Sequence, residues 1–248
     1  MSKIAIITGG GRGIGRATAI AAAGAGYDVA ISYLGRAEAA EATIDAVRAA
    51  GRRGLAVQAD SASEPDLVRY FETVDRELGR VDALVNNAGI IGRASRVDAV
   101  SADDVAQVMA VNVVGCFVAA REAVKRMSTR RGGKGGAIVN VSSAASRLGS
   151  PGEFVHYAAS KGALDTFTLG LAKEVAEEGI RVNAVRPGLI ETEIHAAAGM
   201  GGRLEKILPI VPMQRLGAPE EVAAAILWLL SDAASYVTGS FVEVSGGR

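Results

Sequence analysis

The chain holds one cysteine, one tryptophan, two histidines and six prolines in 248 residues, and it has no net charge. Each scarcity excludes something. A lone thiol, Cys116, forms no internal disulfide and fits a reducing compartment such as the cytoplasm. It lies in the apolar run 111–120, which points to a buried structural thiol rather than a nucleophile. Lys plus Arg equals Asp plus Glu at 27 each, so no charge excess directs the chain to nucleic acid or to an anionic membrane. Aromatics are 4% of residues, too few for an aromatic-rich β-sandwich. No His, Cys, Asp or Glu cluster has metal-ligand spacing, so no catalytic metal is expected. The sequence enters a strand-like run directly after Lys3, leaving no room for a signal peptide. No apolar segment reads as long enough, at ~18 residues, to span a bilayer. The expectation is a soluble cytoplasmic protein.

What is present is Ala, Gly and a regular alternation of two patterns. Short, continuous, β-branched runs at 4–8, 29–33, 55–59, 83–86, 137–141, 181–185 and 241–244 read as strands buried on both faces of a parallel sheet. Between them, 13–25, 37–50, 64–78, 102–127, 157–178 and 219–230 read as helices. Ser63-Glu64-Pro65-Asp66 places a cap, a proline and acids in one first turn, and Gly79 supplies a stop. Strand and helix repeated this often imply an α/β fold. The expected architecture is a single doubly wound parallel sheet, Rossmann-like, with helices on both faces and one domain over 1–248.

The first strand-to-helix turn is Thr8-Gly9-Gly10-Gly11-Arg12-Gly13-Ile14-Gly15. A dinucleotide pyrophosphate needs a tight turn, backbone free of Cβ and N–H groups at a helix N-terminus, which Gly9, Gly11, Gly13 and Gly15 can supply beside Ile14. The spacing is G-x-x-x-G-x-G rather than G-x-G-x-x-G. At the end of the second strand an acid would accept from the ribose 2′-OH of NAD and repel a 2′-phosphate. The segment Ser32-Tyr33-Leu34-Gly35-Arg36 has none. With Arg12 near, this basic, acid-free pocket favours NADP, with NAD possible. After the third strand, Asp60 and Ser61 stand where the adenine would lie, although aspartates at strand ends often only cap turns.

Tyr157 and Lys161 are four apart at the head of a helix and share a face. A phenol, with an ordinary pKa near ~10, is a poor proton carrier at neutrality, and a cation held beside it favours the phenolate.

These motifs, with Asn86-Asn87-Ala88-Gly89, Asn112, Ser142-Ser143, Pro187-Gly188 and the closing Tyr236-Val237-Thr238-Gly239, follow the order seen in short-chain dehydrogenases/reductases. The chain resembles that family along its whole length, most of all its ketoacyl-carrier-protein reductase and glucose dehydrogenase-like members. The resemblance implies that Tyr157 exchanges a proton with the substrate oxygen, that Ser143 hydrogen-bonds it, and that Lys161 tunes the phenol and holds the nicotinamide ribose. It gives Asn112 a water that relays protons to Lys161. Asn87, Ala88 and Gly89 would line the adenosine ribose, and Pro187, Gly188, Ile190 and Thr192 the nicotinamide. It also implies a substrate lid at about 190–217 and a homotetramer built on the catalytic helix, the long helix before it and the last strand. One departure stands out. The family's serine precedes its tyrosine by thirteen residues, whereas Ser143 precedes Tyr157 by fourteen, which reads as one residue inserted in the loop 147–153. Ser146 is a weaker alternative.

The expected reaction is NADP(H)-dependent hydride transfer to or from a carbonyl or secondary alcohol of a small substrate. The alternatives are a 3-ketoacyl-carrier-protein reductase and a non-catalytic NADP sensor. The basic loop 126–134 favours an acidic carrier protein, while Glu174, Glu177 and Glu178 oppose it. His156 reads as a surface or loop residue ahead of a substrate contact, His195 as a lid residue with a substrate contact or none, and Trp228 as core or subunit interface.

Overall fold

The computed structural model describes residues 2–192 and 208–248. Seven strands form one sheet: β1 (Ile4–Ile7), β2 (Asp28–Tyr33), β3 (Gly54–Gln58), β4 (Ala83–Asn86), β5 (Gly136–Val141), β6 (Ile180–Pro187) and β7 (Phe241–Val244). All neighbours are parallel, in the order β3-β2-β1-β4-β5-β6-β7. The order reverses between β1 and β4, which opens a crevice at the carboxyl edge, where ligands bind in such sheets.

The apolar runs explain the layering. Along β1, Ala5 and Ile7 point to one face and Ile4 and Ile6 to the other, and all four are buried. On the first face pack α1 (Gly13–Gly24), α2 (Ala37–Ala49) and α8 (Pro219–Leu230), through Ala19, Ala22, Ile44, Val47, Ile226 and Leu229. On the second pack α3 (Glu64–Glu77), α5 (Gly115–Met127) and α7 (Val155–Val175), through Tyr70, Phe71, Val74, Ala123, Met127 and Val175. Small Ala side chains let these helices sit close to the sheet. Ser63 caps α3 as expected, its Oγ accepting from the Asp66 N–H at 3.4 Å.

Three local features differ from the sequence expectation. The long helix 102–127 is not uniform: α4 (Ala102–Met109) and α5 are joined by a π turn at Ala110–Val114, a feature that frequently marks functional sites. A short helix, α6 (Ala145–Leu148), forms where a plain loop was expected. It stops at Gly149, whose φ of 73° is followed by Ser150 at 45° and Gly152 at 80°, so the loop before α7 turns through left-handed backbone. The helix 102–127 is also long and apolar enough to cross a membrane, contrary to the expectation that no such segment exists. It packs against α3 and α7, and it carries buried Asn112 and Glu122. Of the expected lid, Ile190 bridges Gly217 and Leu208–Ile210 forms a 3-10 turn. Residues 193–207, with His195, lie outside the described residues.

Candidate active site

A cleft of about 700 Å³ runs along the carboxyl edge of the sheet. With two exceptions, the side chains proposed from sequence line it, from Arg36 and Asp60 at one end to Ser143, Tyr157 and Lys161 at the other. The exceptions are Gly15 and Asn112, which lie in the layer beneath.

The glycine turn is built from behind. The Thr8 hydroxyl accepts from the N–H groups of Asn87 and Ala88, each at 3.0 Å. Asn87 Nδ2 returns two hydrogen bonds, to the carbonyls of Thr8 and Gly9. A Cβ on Gly15 would meet the Gly9 carbonyl and stand 2.5 Å from Asn87 Nδ2. Gly9 and Gly13 adopt φ of 66° and 51°. These positions therefore need glycine, and the bare backbone at the N-terminus of α1 suits an anionic pyrophosphate. Asn87 thus acts on the turn from below, a role the sequence left among its cofactor contacts.

At the end of β2, Ser32 is almost fully buried and its Oγ accepts from the Gly9 N–H at 3.1 Å, so this hydroxyl also braces the turn. Tyr33, Arg36 and Arg12 line the same end of the cleft, and no carboxylate from β2 enters it. Asp60 caps its own turn through Ala62 N–H to Oδ1 at 2.8 Å, and it faces the cleft beside Ser61. The absence of an acid at the carboxyl end of β2 and the presence of two guanidinium groups fit a 2′-phosphorylated ribose.

At the other end, α7 presents Tyr157 and Lys161 on one face. The buried Lys161 Nζ donates to the Val141 carbonyl at 2.8 Å and lies 5.8 Å from the centre of the Tyr157 ring. Hydrogen bonding sets the neighbouring serines apart. Ser142 turns inward, its Oγ donating to Asp165 Oδ1 at 2.6 Å. Ser146 Oγ donates to the Ser143 carbonyl in the first turn of α6. Ser143 is left facing the cleft, its Oγ accepting from Ala145 N–H at 3.1 Å. Asn112 is completely buried at the π turn. Its Oδ1 accepts from Ile90 N–H at 2.9 Å, and its Nδ2 donates to the Ile90 carbonyl and to Ser160 Oγ. Its carboxamide thus locks the loop after β4. A Cβ on Gly89 would lie 3.3 Å from Asn112 Oδ1 and 3.5 Å from Lys161 Nζ, so Gly89 stands against both groups.

Two further expectations meet the geometry. Burial pushes the Cys116 thiol up to about 11, with the Lys161 charge opposing it, so Cys116 is no nucleophile. The basic loop after α5 precedes the amino end of β5, on the edge opposite the cleft. Its Arg130 pairs with Glu177 at 2.7 Å and approaches Glu178, which also accepts from Ser128 Oγ. Sequence reasoning missed Gly115: a Cβ there would overlap the Ser61 carbonyl, so the start of α5 rests directly on the loop after β3. A glycine interrupting the apolar run 111–120 was the available signal.

A family model described as enoyl-(acyl carrier protein) reductase matches residues 9–248. The chain is 54% identical over 245 residues to an uncharacterized oxidoreductase, YgfF, of Escherichia coli, covering 99% of both chains. It is 37% identical to a 3-oxoacyl-[acyl-carrier-protein] reductase of Synechocystis, covering 99% of this chain and 96% of the other. A glucose 1-dehydrogenase 2 of Bacillus subtilis is 36% identical, over 99% and 94%. Among solved structures, a short chain dehydrogenase from Burkholderia cenocepacia in complex with NADP superposes with a TM-score of 0.92 at 35% identity, over 99% and 97%. A blue fluorescent protein from a metagenomic library, in complex with NADPH, gives 0.91 at 35%, over the same shares. The chain belongs to the short-chain dehydrogenase/reductase family and is an oxidoreductase enzyme.

Proposed function

We propose that the enzyme transfers a hydride between NADP(H) and a carbonyl or secondary alcohol of a small substrate. One observation carries the reading: Ser143, Tyr157 and Lys161 converge at one end of a cleft whose other end is free of β2 acids and lined by Arg12 and Arg36. Gly9, Gly13 and the N-terminus of α1 would hold the pyrophosphate, and Asp60, Ser61, Ala88 and Gly89 the adenosine side. Lys161 would hold the nicotinamide ribose, with Pro187, Gly188, Ile190 and Thr192 along the ring. When bound, the nicotinamide supplies or accepts the hydride. The chain's own residues do the rest. Ser143 Oγ hydrogen-bonds the substrate oxygen, Tyr157 Oη gives or removes its proton, and the Lys161 cation offsets phenolate charge. Asn112, with its carboxamide committed to Ile90 and Ser160, serves by fixing the loop that carries Gly89. Single-turnover oxidation of NADPH with a panel of ketones tests the reading; tight NADPH binding without turnover of any ketone or alcohol would replace it with the sensor.

The second reading, a 3-oxoacyl-carrier-protein reductase, is favoured by relatives with that name, the Synechocystis protein at 37% identity among them. The pairing of Arg130 with Glu177 weighs against it, because it neutralises part of the charge an acidic carrier would meet. A cytoplasmic homotetramer of single-domain subunits completes the proposal. Val114, Phe117 and Leu169 expose about half of their surface on the faces of the long helix and α7, and Phe117 stacks on Phe167 at 3.9 Å between centroids. An exposed apolar patch shared by two helices is what a subunit contact would cover.

A further inference from the structure

Behind the reacting side chains runs a chain of charges that neither the proton chemistry nor cofactor binding uses. Asp165 is one turn beyond Lys161 on α7 and is nine-tenths buried. Its Oδ1 accepts from Ser142 Oγ at 2.6 Å. Its Oδ2 accepts from Arg186 Nη2 at 2.8 Å and Nε at 3.1 Å. Arg186 is the residue before Pro187 in β6, and its guanidinium lies flat against Phe241, 4.0 Å from the ring centre. Arg186 Nη1 pairs with Glu243 of β7 at 3.0 Å, and Glu243 pairs with Arg147 of α6 at 3.1 Å. We infer that the Asp165–Arg186 pair is a positioning device that fixes the Ser143 end of β5 against the Tyr157 helix.

The argument is one of geometry. Ser143 and Tyr157 must hydrogen-bond the same substrate oxygen, but they sit on different elements, joined by a loop rich in left-handed backbone. Such a loop does not fix distance. Direct tethers across the gap include the Lys161–Val141 hydrogen bond and the Ser142–Asp165 hydrogen bond, with Ser142 Oγ also 3.3 Å from the Lys161 carbonyl and Asn140 Nδ2 donating to Thr168 Oγ1 at 2.8 Å further back along the strand. The first depends on a side chain that also carries the chemistry. The second is free to be structural, and a doubly bonded Arg186 holds its carboxylate in one orientation. Because Arg186 adjoins Pro187, the same pair ties the nicotinamide wall to both. Asp165 and Arg186 touch no reacting atom, so they are positioning residues.

The inference rests on the proposed hydride transfer, and Tyr157→Phe serves as the control for that reading. If wild type turns over a ketone and Tyr157→Phe does not, the reading stands whatever Asp165 does. Steady-state kinetics, NADPH binding and thermal unfolding are then measured for Asp165→Asn, Arg186→Gln, their double variant, and Ser142→Ala. The expected result is a fall in kcat of tenfold or more for each charge single, with the NADPH Kd changed less than threefold. The double variant, which leaves no unpaired buried charge and lets Asn face Gln, should recover most of the loss. A merely structural pair would lower the melting temperature and leave kcat intact in the folded protein. Folded singles with wild-type kcat overturn the inference. Should both singles fail to fold, Ser142→Ala decides: wild-type kcat in that variant overturns it, and a tenfold loss at unchanged NADPH affinity supports it.

Discussion

The Lys161 ammonium donates to the Val141 carbonyl at 2.8 Å, two residues before Ser143. One cation is therefore bonded to the strand that delivers the serine and lies beside the phenol that shares its helix. This makes the lysine both a charge and a tether. Replacing it tests the two functions together, because Lys161→Met keeps the stem but removes both the charge and the hydrogen bond. Activity should fall at least ~10²-fold, with NADPH bound more weakly. Pre-steady-state kinetics and fluorescence titration of NADPH check both halves.

Tyr157→Phe keeps the ring and deletes the proton. The expected kcat loss is ~10²- to 10⁴-fold, the range for removing a general acid, with NADPH binding retained. An unchanged kcat refutes the assignment.

Arg12→Ala and Arg36→Ala should weaken NADPH binding by tenfold or more and NADH binding far less, since only the former carries the 2′-phosphate. Equal losses for the two cofactors would remove the basis for NADP preference. Isothermal titration at fixed salt reads the difference.

Asp28 gives a pH prediction. Burial alone would raise its carboxyl, but hydrogen bonds from Ser2, the Arg53 backbone and the Arg53 guanidinium, with Arg52 at 2.9 Å, outweigh it and lower it to about 2. A carboxyl that is more acidic folded than unfolded adds stability above its unfolded value. That stability is lost as pH falls from about 4 to about 2. The contribution at pH 7 is about 2 kcal/mol. Asp28→Asn should lower the melting temperature at pH 7 and flatten the acid limb of the stability curve; an unchanged acid limb would show that the pair contributes nothing.

Phe117→Glu places a charge on the exposed apolar surface where Phe117 meets Phe167. Sedimentation velocity should show dissociation to smaller species, and a monomeric wild type would refute the proposed tetramer outright.

Strands and their order of appearance were legible because buried parallel strands are continuous and apolar, and their boundaries moved by one or two residues. The glycine turn, Tyr157 and Lys161 were legible because local spacing encodes them. The roles of Asn87, Ser32 and Asn112 were not, since a side chain's partner across the sheet leaves no mark in its own segment. Ser32 braces the glycine turn through a partner 23 residues away, its oxygen accepting from the Gly9 N–H. Asp165 and Arg186 are 21 residues apart on different elements, and nothing local pairs them. The choice between Ser142 and Ser143 needed the side-chain directions at the end of β5, where the first turns inward to Asp165.

Gly115 has no room for a Cβ because the Ser61 carbonyl occupies that space. The backbone proposed to seat the adenine and the helix that carries Asn112 are thus in bare contact, with no side chain between them to absorb a change. Anyone redesigning this enzyme to accept the other nicotinamide dinucleotide through the 58–63 segment would be adjusting a wall shared with the reaction end. Turnover and cofactor choice cannot be engineered there as independent variables.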